Sequence, residues 1–327
     1  MKLVLQFFQK LPEELAHSIA LKSLKILYSL NILSFFAPKI KQNKFQFLGM
    51  EFKNRLGTAA GLDKNGDYID ALGALGFGFL EVGTSTPLPQ SGNAKPRLFR
   101  VFSENAIINR MGFNNKGIDH LVRNLKKAKY NGIIGVNIGA NKESTDQTRI
   151  DDYLTCFKKV YKYADYIVVN ISSPNTENLR DLHNSDQLTQ LLNSISDLSK
   201  TLLNTKPIFL KISPDENESS IRRIVKEVED SIFSGLIATN TTVDKTLLID
   251  KTYHEFEGGL SGMPLHNKSN EKLELIRAIN KDMPLIGVGG VIDNDSYNKK
   301  LKCGADLVQI YTGFIIKGPK ILSEILN

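Results

Sequence analysis

The chain has few cysteines and no long apolar run, and each absence excludes a class of protein. Cys156 and Cys303 lie far apart and form no CxxC motif, so we expect no disulfide framework and a reducing compartment. No apolar run approaches the roughly 20 residues of a membrane-spanning helix. The opening MKLVLQFFQK is too short and too polar for a signal peptide.

Patterns for metals, nucleic acids and dinucleotides are also scarce. The five histidines share no ligand spacing, so we predict no metal site. The net charge of +7 is a modest excess of 42 Lys and Arg over 35 Asp and Glu, without a long basic block. We therefore expect no nucleic-acid partner. A Rossmann GxGxxG after a first strand is missing, which disfavours an open doubly wound sheet.

From Asn54 onward, short apolar segments alternate with longer amphipathic ones, at a length of 327 residues that suits one large domain. The predicted strands are 56–60, 79–83, 133–138, 166–171, 208–212, 235–239, 285–288 and 307–310. The predicted helices lie near 67–75, 115–129, 152–163, 186–204, 216–232, 269–280, 294–303 and 319–326. This alternation predicts the α/β class and a (β/α)₈ TIM barrel.

The carboxyl ends of the barrel strands, where such proteins hold their active sites, carry mostly small, amide and hydroxyl residues. Asn137, Asn170, Asn175 and Asn240 offer the donors and acceptors that a planar heterocycle needs, although each could instead satisfy loop backbone. Glycines after the last two strands, with Thr312, suit a phosphate held by backbone amides. Tight turns alone would also require glycine there.

Two lysines at strand ends are more informative. Lys64 follows the first strand and Lys211 closes the fifth, inside an apolar segment. A lysine at a barrel mouth loses solvation unless it meets an anion, so we expect a carboxylate, a phosphate or a reduced cofactor nearby. Lys211 as the Schiff-base lysine of an aldolase is an open alternative. A Ser-His-Asp triad is disfavoured because no histidine lies at a strand end, so Ser173 needs another route for its proton.

Residues 1–44 have a different composition, with seven lysines and two acids. Pro12-Glu13-Glu14 is typical of a helix start, apolar residues follow at helical spacing, and Asn31 is a candidate end. The next residues, 32–36, are very apolar for this position. We predict a small helical extension that docks on the barrel, faces a membrane with lysines near anionic lipid, or does both.

Seven motifs carry a resemblance to a known family: AAGLDKNG, NRMGFNNKG, NISSPNT, IATNTT, GGLSG, IGVGG and VQIYTGF. Together, and in this order over nearly the whole chain, they resemble the dihydroorotate dehydrogenases. Class 1 members use a cysteine on a mobile loop as base and lack an N-terminal helical segment. Neither Cys156 nor Cys303 lies in a matching motif, so the resemblance is to the quinone-linked class 2.

The resemblance implies an FMN-dependent barrel that oxidises (S)-dihydroorotate to orotate in pyrimidine biosynthesis and passes the electrons to a membrane quinone, either ubiquinone or menaquinone. It implies Ser173 as the catalytic base. The implied contacts of dihydroorotate are Lys64, Asn109, Arg110, Met111, Gly112, Phe113, Asn170, Asn175, Asn240 and Thr241. The implied contacts of FMN are Ala60, Gly61, Leu62, Asp63, Lys64, Thr84, Asn137, Asn170, Lys211, Thr239, Gly262, Gly290, Tyr311 and Thr312.

The resemblance also divides the chain, with residues 1–44 forming a membrane-association and quinone-tunnel segment and residues 45–327 the FMN-binding barrel. It implies a peripheral enzyme on the cytoplasmic side of the inner cell membrane, with His17 and Arg100 near the tunnel. A dihydrouridine synthase would need a basic RNA-binding domain and a loop cysteine, and the sequence has neither. A non-catalytic module for a phosphate-bearing ligand is a further alternative.

Overall fold

The computed structural model describes residues 11–41, 43–175, 180 and 186–327. The strands, in chain order, are β1 (Phe45–Phe47), β2 (Met50–Phe52), β3 (Leu56–Thr58), β4 (Phe79–Ser85), β5 (Leu98–Val101), β6 (Ala106–Asn109), β7 (Ile133–Ile138), β8 (Tyr166–Asn170), β9 (Ile208–Ile212), β10 (Gly235–Ala238), β11 (Gly259–Gly262), β12 (Leu285–Val288) and β13 (Leu307–Ile310). The helices are α1 (Glu13–Ser29), α2 (Ile69–Gly73), α3 (Ile118–Lys127), α4 (Asp146–Val160), α5 (Asp186–Lys200), α6 (Glu218–Glu229), α7 (His266–Ile279), α8 (Asn294–Lys302), α9 (Thr312–Lys317) and α10 (Ile321–Leu326).

Eight strands close into a barrel in the order β3-β4-β7-β8-β9-β10-β12-β13, and every neighbouring pair is parallel. These are the eight predicted strands, with ends shifted by at most two residues, so the predicted TIM barrel is confirmed. The predicted helices are also found. The largest shift is at α4, which begins at Asp146 because Thr148 Oγ1 accepts a hydrogen bond from the Thr145 N–H at 3.0 Å.

Strands outside the barrel were not predicted from the sequence. The antiparallel hairpin β1–β2 covers the amino end of the barrel, where the Phe52 ring lies 5.4 Å from Phe79 and the Phe47 ring 6.4 Å from Phe209. A second antiparallel sheet, in the order β11-β6-β5, borders the carboxyl end. Aromatic packing therefore closes the amino end of the barrel, and the carboxyl end is available for a functional site.

The barrel interior changes from apolar to polar along its axis. The rings of Phe79, Tyr166 and Phe209 fill the amino-terminal part. They pack against each other, so this part of the barrel has no pore. Further along the same strands, Glu81 is fully buried and Lys211 nearly so. Because buried charges need hydrogen-bond or charge partners, this polar layer marks the floor of the site.

Helix α1 is attached to the barrel by its two acidic residues. Glu14 binds Arg97 and lies 2.9 Å from Lys95, while Glu13 lies 3.7 Å from Arg100. Burial raises the pKa of Glu14, but Arg97 and Lys95 outweigh that effect and hold it below its usual value. The helix ends at Ser29, close to the predicted end. Among the described residues, no helix is both long and apolar enough to span a bilayer.

Candidate active site

A cleft of about 960 Å³ opens at the carboxyl ends of the barrel strands. Most of the predicted contacts line it, although they come from positions up to 250 residues apart. These are Ala60, Gly61, Lys64, Thr84, Asn109, Met111, Gly112, Phe113, Asn170, Ser173, Asn175, Lys211, Thr239, Asn240, Thr241, Gly262, Gly290, Tyr311 and Thr312. The fold therefore brings the strand-end residues of the sequence together at one place, as the barrel geometry requires.

Four predicted contacts lie elsewhere. Leu62 lines a separate apolar cavity. Asp63 accepts two backbone N–H groups of the turn before α2, and burial raises its pKa to about 6. Arg110 donates to the Pro96 carbonyl at 3.1 Å and pairs with Glu257 at 2.9 Å, on the outside of the cleft. Asn137 lies fully buried beneath the cleft floor.

A chain of hydrogen bonds crosses the cleft floor between strands. Asn240 Nδ2 donates to Ser172 Oγ at 3.0 Å, and Ser172 Oγ donates to Asn170 Oδ1 at 2.9 Å. Asn170 Nδ2 then donates to Thr84 Oγ1 at 3.0 Å. All donors point in one direction, from β10 toward β4. This fixes the amide orientation of Asn170, the residue predicted to touch both cofactor and substrate.

The chain ends on a buried carboxylate. Thr84 Oγ1 donates to Asn137 Oδ1 at 2.6 Å, and Asn137 Nδ2 donates to Glu81 Oε1 at 2.9 Å. The other Glu81 oxygen accepts from Tyr166 at 3.2 Å and from Gln309. Sequence reasoning missed Glu81, although a glutamate inside the apolar segment FLEV is itself a signal of a buried polar network.

Both predicted lysines face the cleft with lowered pKa values. Burial lowers the pKa of Lys211, and the charge of Glu81 only partly opposes that effect. Burial and the charge of Arg97 lower the pKa of Lys64 to about 7, and its ammonium donates to Asn114 Oδ1. An anion entering the cleft would raise both pKa values, because an opposite charge stabilises the protonated lysine.

Ser173 lies in the cleft at the first turn after β8 and is only 4% exposed. The Asn175 N–H donates to Ser173 Oγ at 3.2 Å, and the Asn175 side chain donates to Asn109 Oδ1 at 3.3 Å. A donor aimed at Oγ stabilises negative charge on that oxygen.

Arg180 was missed from the sequence, where it is a lone arginine in a mainly polar stretch. Its Nε donates to the Ser172 carbonyl at 3.1 Å and its Nη2 to the Thr241 carbonyl at 2.7 Å. Its Nη1 pairs with Asp215 at 2.7 Å, and Asp215 also lies 2.7 Å from Lys268. Burial raises the pKa of Asp215, but Lys268 and its other donors lower it to about 2. Arg180 thus joins two loops that carry predicted substrate contacts.

Two buried polar atoms of the cleft have no hydrogen-bond partner among the described residues: Thr241 Oγ1 and Gln309 Oε1. A buried polar group without a partner destabilises the fold unless a ligand or water satisfies it. Among the described residues, no group of three or more His, Cys, Asp or Glu side chains is arranged to hold a metal ion. The donors fit an organic ligand with carbonyl and N–H groups.

A second cavity lies between α1, β5 and α9 and is mostly apolar; with the solvent at its mouth, it takes up about 1840 Å³. Its lining includes Ala16, His17, Ala20, Leu21, Leu24, Leu27, Leu33, Phe36, Leu62, Leu98, Arg100, Ile107, Phe314 and Ile315. Burial and then the charge of Lys64 lower the pKa of His17 to about 4. Gly61 lines the cleft and the next residue, Leu62, lines the cavity, so the two spaces adjoin.

Comparison with known proteins agrees with this arrangement. The family model described as dihydroorotate dehydrogenase matches residues 43–327, so the chain belongs to the dihydroorotate dehydrogenase family. The dihydroorotate dehydrogenase (quinone) of Saccharophagus degradans is 46% identical over 320 residues, covering 96% of this chain and 94% of the relative. That of Aeromonas hydrophila is 47% identical over 326 residues, covering 98% and 97%. The predicted quinone-linked class is confirmed.

Solved structures show the same similarity in three dimensions. The Eimeria tenella DHODH crystallised with ferulenol superposes with a TM-score of 0.86 at 31% identity, covering 95% of this chain and 89% of that one. The ligand-free form of that protein also gives a TM-score of 0.86, with coverages of 94% and 92%.

Proposed function

We propose that the chain oxidises (S)-dihydroorotate to orotate in pyrimidine biosynthesis, with FMN as the cofactor and a membrane quinone as the final acceptor. One observation carries this proposal: a polar cleft with Ser173 and two lysines adjoins a large apolar cavity. The first space suits an anionic heterocycle and the second an apolar quinone. An aldolase would have no use for the second cavity, and the family membership speaks against that alternative.

FMN fits the cleft by the chemistry of its donors. When bound, it supplies the acceptor for hydride and the store for two electrons. Lys211, Asn170 and Thr239 would hold its ring system, and the loop at Gly290 with Thr312 would hold its phosphate. Thr312 Oγ1 donates to Ser261 Oγ at 2.8 Å, which fixes one hydroxyl at that end. The unsatisfied oxygen of Gln309 is available to a ring N–H.

The substrate would lie between the cofactor position and the Ser173 loop. Lys64 would pair with the substrate carboxylate, while Asn109, Asn175 and Asn240 bind the ring carbonyls and N–H groups. Ser173 Oγ would take the proton from C5 of dihydroorotate while its own hydroxyl proton passes to a water molecule, and the Asn175 N–H would stabilise negative charge on Oγ. The free hydroxyl of Thr241 would gain a substrate partner.

The apolar cavity would receive the quinone from the lipid phase. Its walls come from α1 and the turn at Leu33–Phe35 on one side and from the barrel on the other. Residues 1–44 would then serve as the membrane-association segment and residues 45–327 as the catalytic barrel. Exposed Ile26, Leu30, Phe35 and Phe36 lie on that segment. We place the enzyme as a peripheral protein on the cytoplasmic face of the inner membrane.

Filling the cavity should affect only the quinone half-reaction. Ala20→Phe puts a ring into the cavity and takes space from the quinone, so quinone reoxidation should slow roughly tenfold or more, the equivalent of about 1.4 kcal/mol. Flavin reduction by dihydroorotate should stay within about twofold of wild type. Stopped-flow absorbance measures both steps. Leu15→Phe, on the exposed side of the same helix, is the control. Equal slowing of both steps would reject the assignment of the cavity to quinone.

Membrane binding should depend on the exposed aromatic residues of the N-terminal segment. Phe35 is 82% exposed, and Phe35→Asp should weaken binding to vesicles containing phosphatidylglycerol by about tenfold, since an apolar contact with lipid is replaced by a charge. Leu203, 88% exposed on the barrel, gives the control variant Leu203→Asp. Vesicle co-sedimentation compares them. If both variants lose the same binding, the N-terminal segment is not the membrane contact.

A further inference from the structure

A fully buried lysine lies behind the glycine loop that follows β12. Lys300, on α8, is 0% exposed, and its Nζ donates to Ser269 Oγ at 2.8 Å and to Asn270 Oδ1 at 2.9 Å. Both partners are neutral, and burial lowers the pKa of Lys300 to about 7. Buried lysines are usually paired with an acid. Lys300 differs from that rule, because both of these hydrogen-bond partners are neutral.

Two hydrogen-bond paths run from Lys300 to the loop carbonyls. Ser269 Oγ lies 3.1 Å from the Gly289 carbonyl oxygen. Asn270 Nδ2 lies 3.0 Å from His266 Nε2, and His266 Nδ1 lies 3.2 Å from the Gly290 carbonyl oxygen. An amide nitrogen only donates, so Nε2 accepts and Nδ1 carries the ring proton toward Gly290. The donors thus run from the lysine toward the loop.

These contacts determine which way the loop amides face. In a planar trans peptide the C=O and the following N–H point in opposite directions. Because the carbonyls of Gly289 and Gly290 are turned toward α7, the N–H groups of Gly290 and Val291 point the other way. Gly289, Gly290 and Val291 all line the cleft. The two amides therefore face the space that would hold the phosphate.

Glycine allows this close packing. Gly290 has φ +75°, and a Cβ there would lie 2.4 Å from the Cα of His266. Any larger residue would push the loop away from α7 and break the contact with His266. The loop therefore packs directly against α7, whose side chains orient it.

We propose that Lys300, acting through Ser269, Asn270 and His266, is a positioning residue that turns the Gly290 and Val291 amides toward the cofactor phosphate. Its positive charge behind the loop adds to the attraction for that anion. The role of Lys300 rests on the proposed function, since FMN supplies the phosphate. This role predicts that Lys300, Ser269, Asn270 and His266 contribute to binding of the phosphate and not of the flavin ring.

Titration of the full-length, flavin-stripped protein with FMN and with riboflavin, which lacks the phosphate, tests this role. Lys300→Met should weaken FMN binding about tenfold, the loss expected for one hydrogen-bonding charge, and change riboflavin binding less than about twofold. Flavin fluorescence quenching measures both affinities. The control is Lys299→Met, the neighbouring lysine with a half-exposed side chain in an ion pair with Glu274.

Ser269→Ala keeps the lysine and its contact with Asn270. It removes the hydroxyl that contacts Lys300 and the carbonyl oxygens of Gly289 and His266, so it should lower the preference for FMN over riboflavin about threefold. If Lys300→Met does not fold, the Ser269→Ala measurement tests the role of Lys300. Equal weakening of both ligands, or an unchanged preference in both variants, would overturn the role of Lys300. Wild-type protein that binds neither flavin would instead overturn the proposed function, and this role with it.

Discussion

Replacing Ser173 with alanine is expected to slow flavin reduction by dihydroorotate about 100- to 10,000-fold, the usual contribution of a positioned acid–base group. The variant keeps the cleft but removes the oxygen proposed to accept the C5 proton. Ser173 is buried, and the Asn175 N–H donates to its Oγ, so water does not easily replace it. Anaerobic stopped-flow absorbance at the flavin band measures the rate.

Two further measurements separate chemistry from binding in this variant. The dissociation constant of orotate should stay within about threefold of wild type, because the lysine and amide contacts remain in place. Ser173→Cys should recover part of the lost rate, since a thiol gives up its proton more easily than a hydroxyl and its thiolate is available as a base. A Ser173→Ala variant with near-normal reduction rates would show that another group takes the proton.

Replacing Lys64 with methionine is expected to raise the dihydroorotate concentration for half-maximal flavin reduction about 100-fold. Loss of one partner of a buried charge pair commonly weakens binding by about 2–5 kcal/mol. The maximal rate should fall much less, because the proposed role of Lys64 is to bind the carboxylate and not to move the proton. Lys116→Met is the matched control, since that lysine is exposed and pairs with Asp67 outside the cleft.

The same lysine predicts the direction of a pH effect. The pKa of Lys64 is lowered to about 7 in the ligand-free protein, so its ammonium is charged below pH 7 and loses its proton above it. A bound carboxylate raises that pKa. Substrate affinity should therefore weaken as the pH rises from 7 to 9, and Lys64→Met should lose this dependence. An unchanged pH dependence in the variant would assign the effect to another group.

The barrel and most of its cleft were predictable because both follow from local pattern. Apolar segments such as 166–171 and 208–212 have the length and β-branched content of buried parallel strands. Once eight of them form a barrel, the residues at their carboxyl ends must meet, so Asn170 and Lys211 converge without any knowledge of a ligand.

The remaining features depend on contacts that sequence spacing does not encode. The sheet β11-β6-β5 pairs Gly259 with Asn109, 150 residues earlier, and interrupts the regular alternation of strand and helix. Arg180 contacts Thr241 and Asp215 from a stretch of sequence without a recognisable pattern. Arg110 lies between cleft residues in its motif, but its side chain points away from the cleft and pairs with Glu257.

Anaerobic mixing of the purified protein with dihydroorotate tests the central claim most directly. The protein should carry oxidised FMN, and the visible absorbance of the flavin should bleach on mixing and return when a ubiquinone or menaquinone analogue is added. Fumarate and NAD should leave the bleached form unchanged. A bound flavin that dihydroorotate does not bleach would contradict the account.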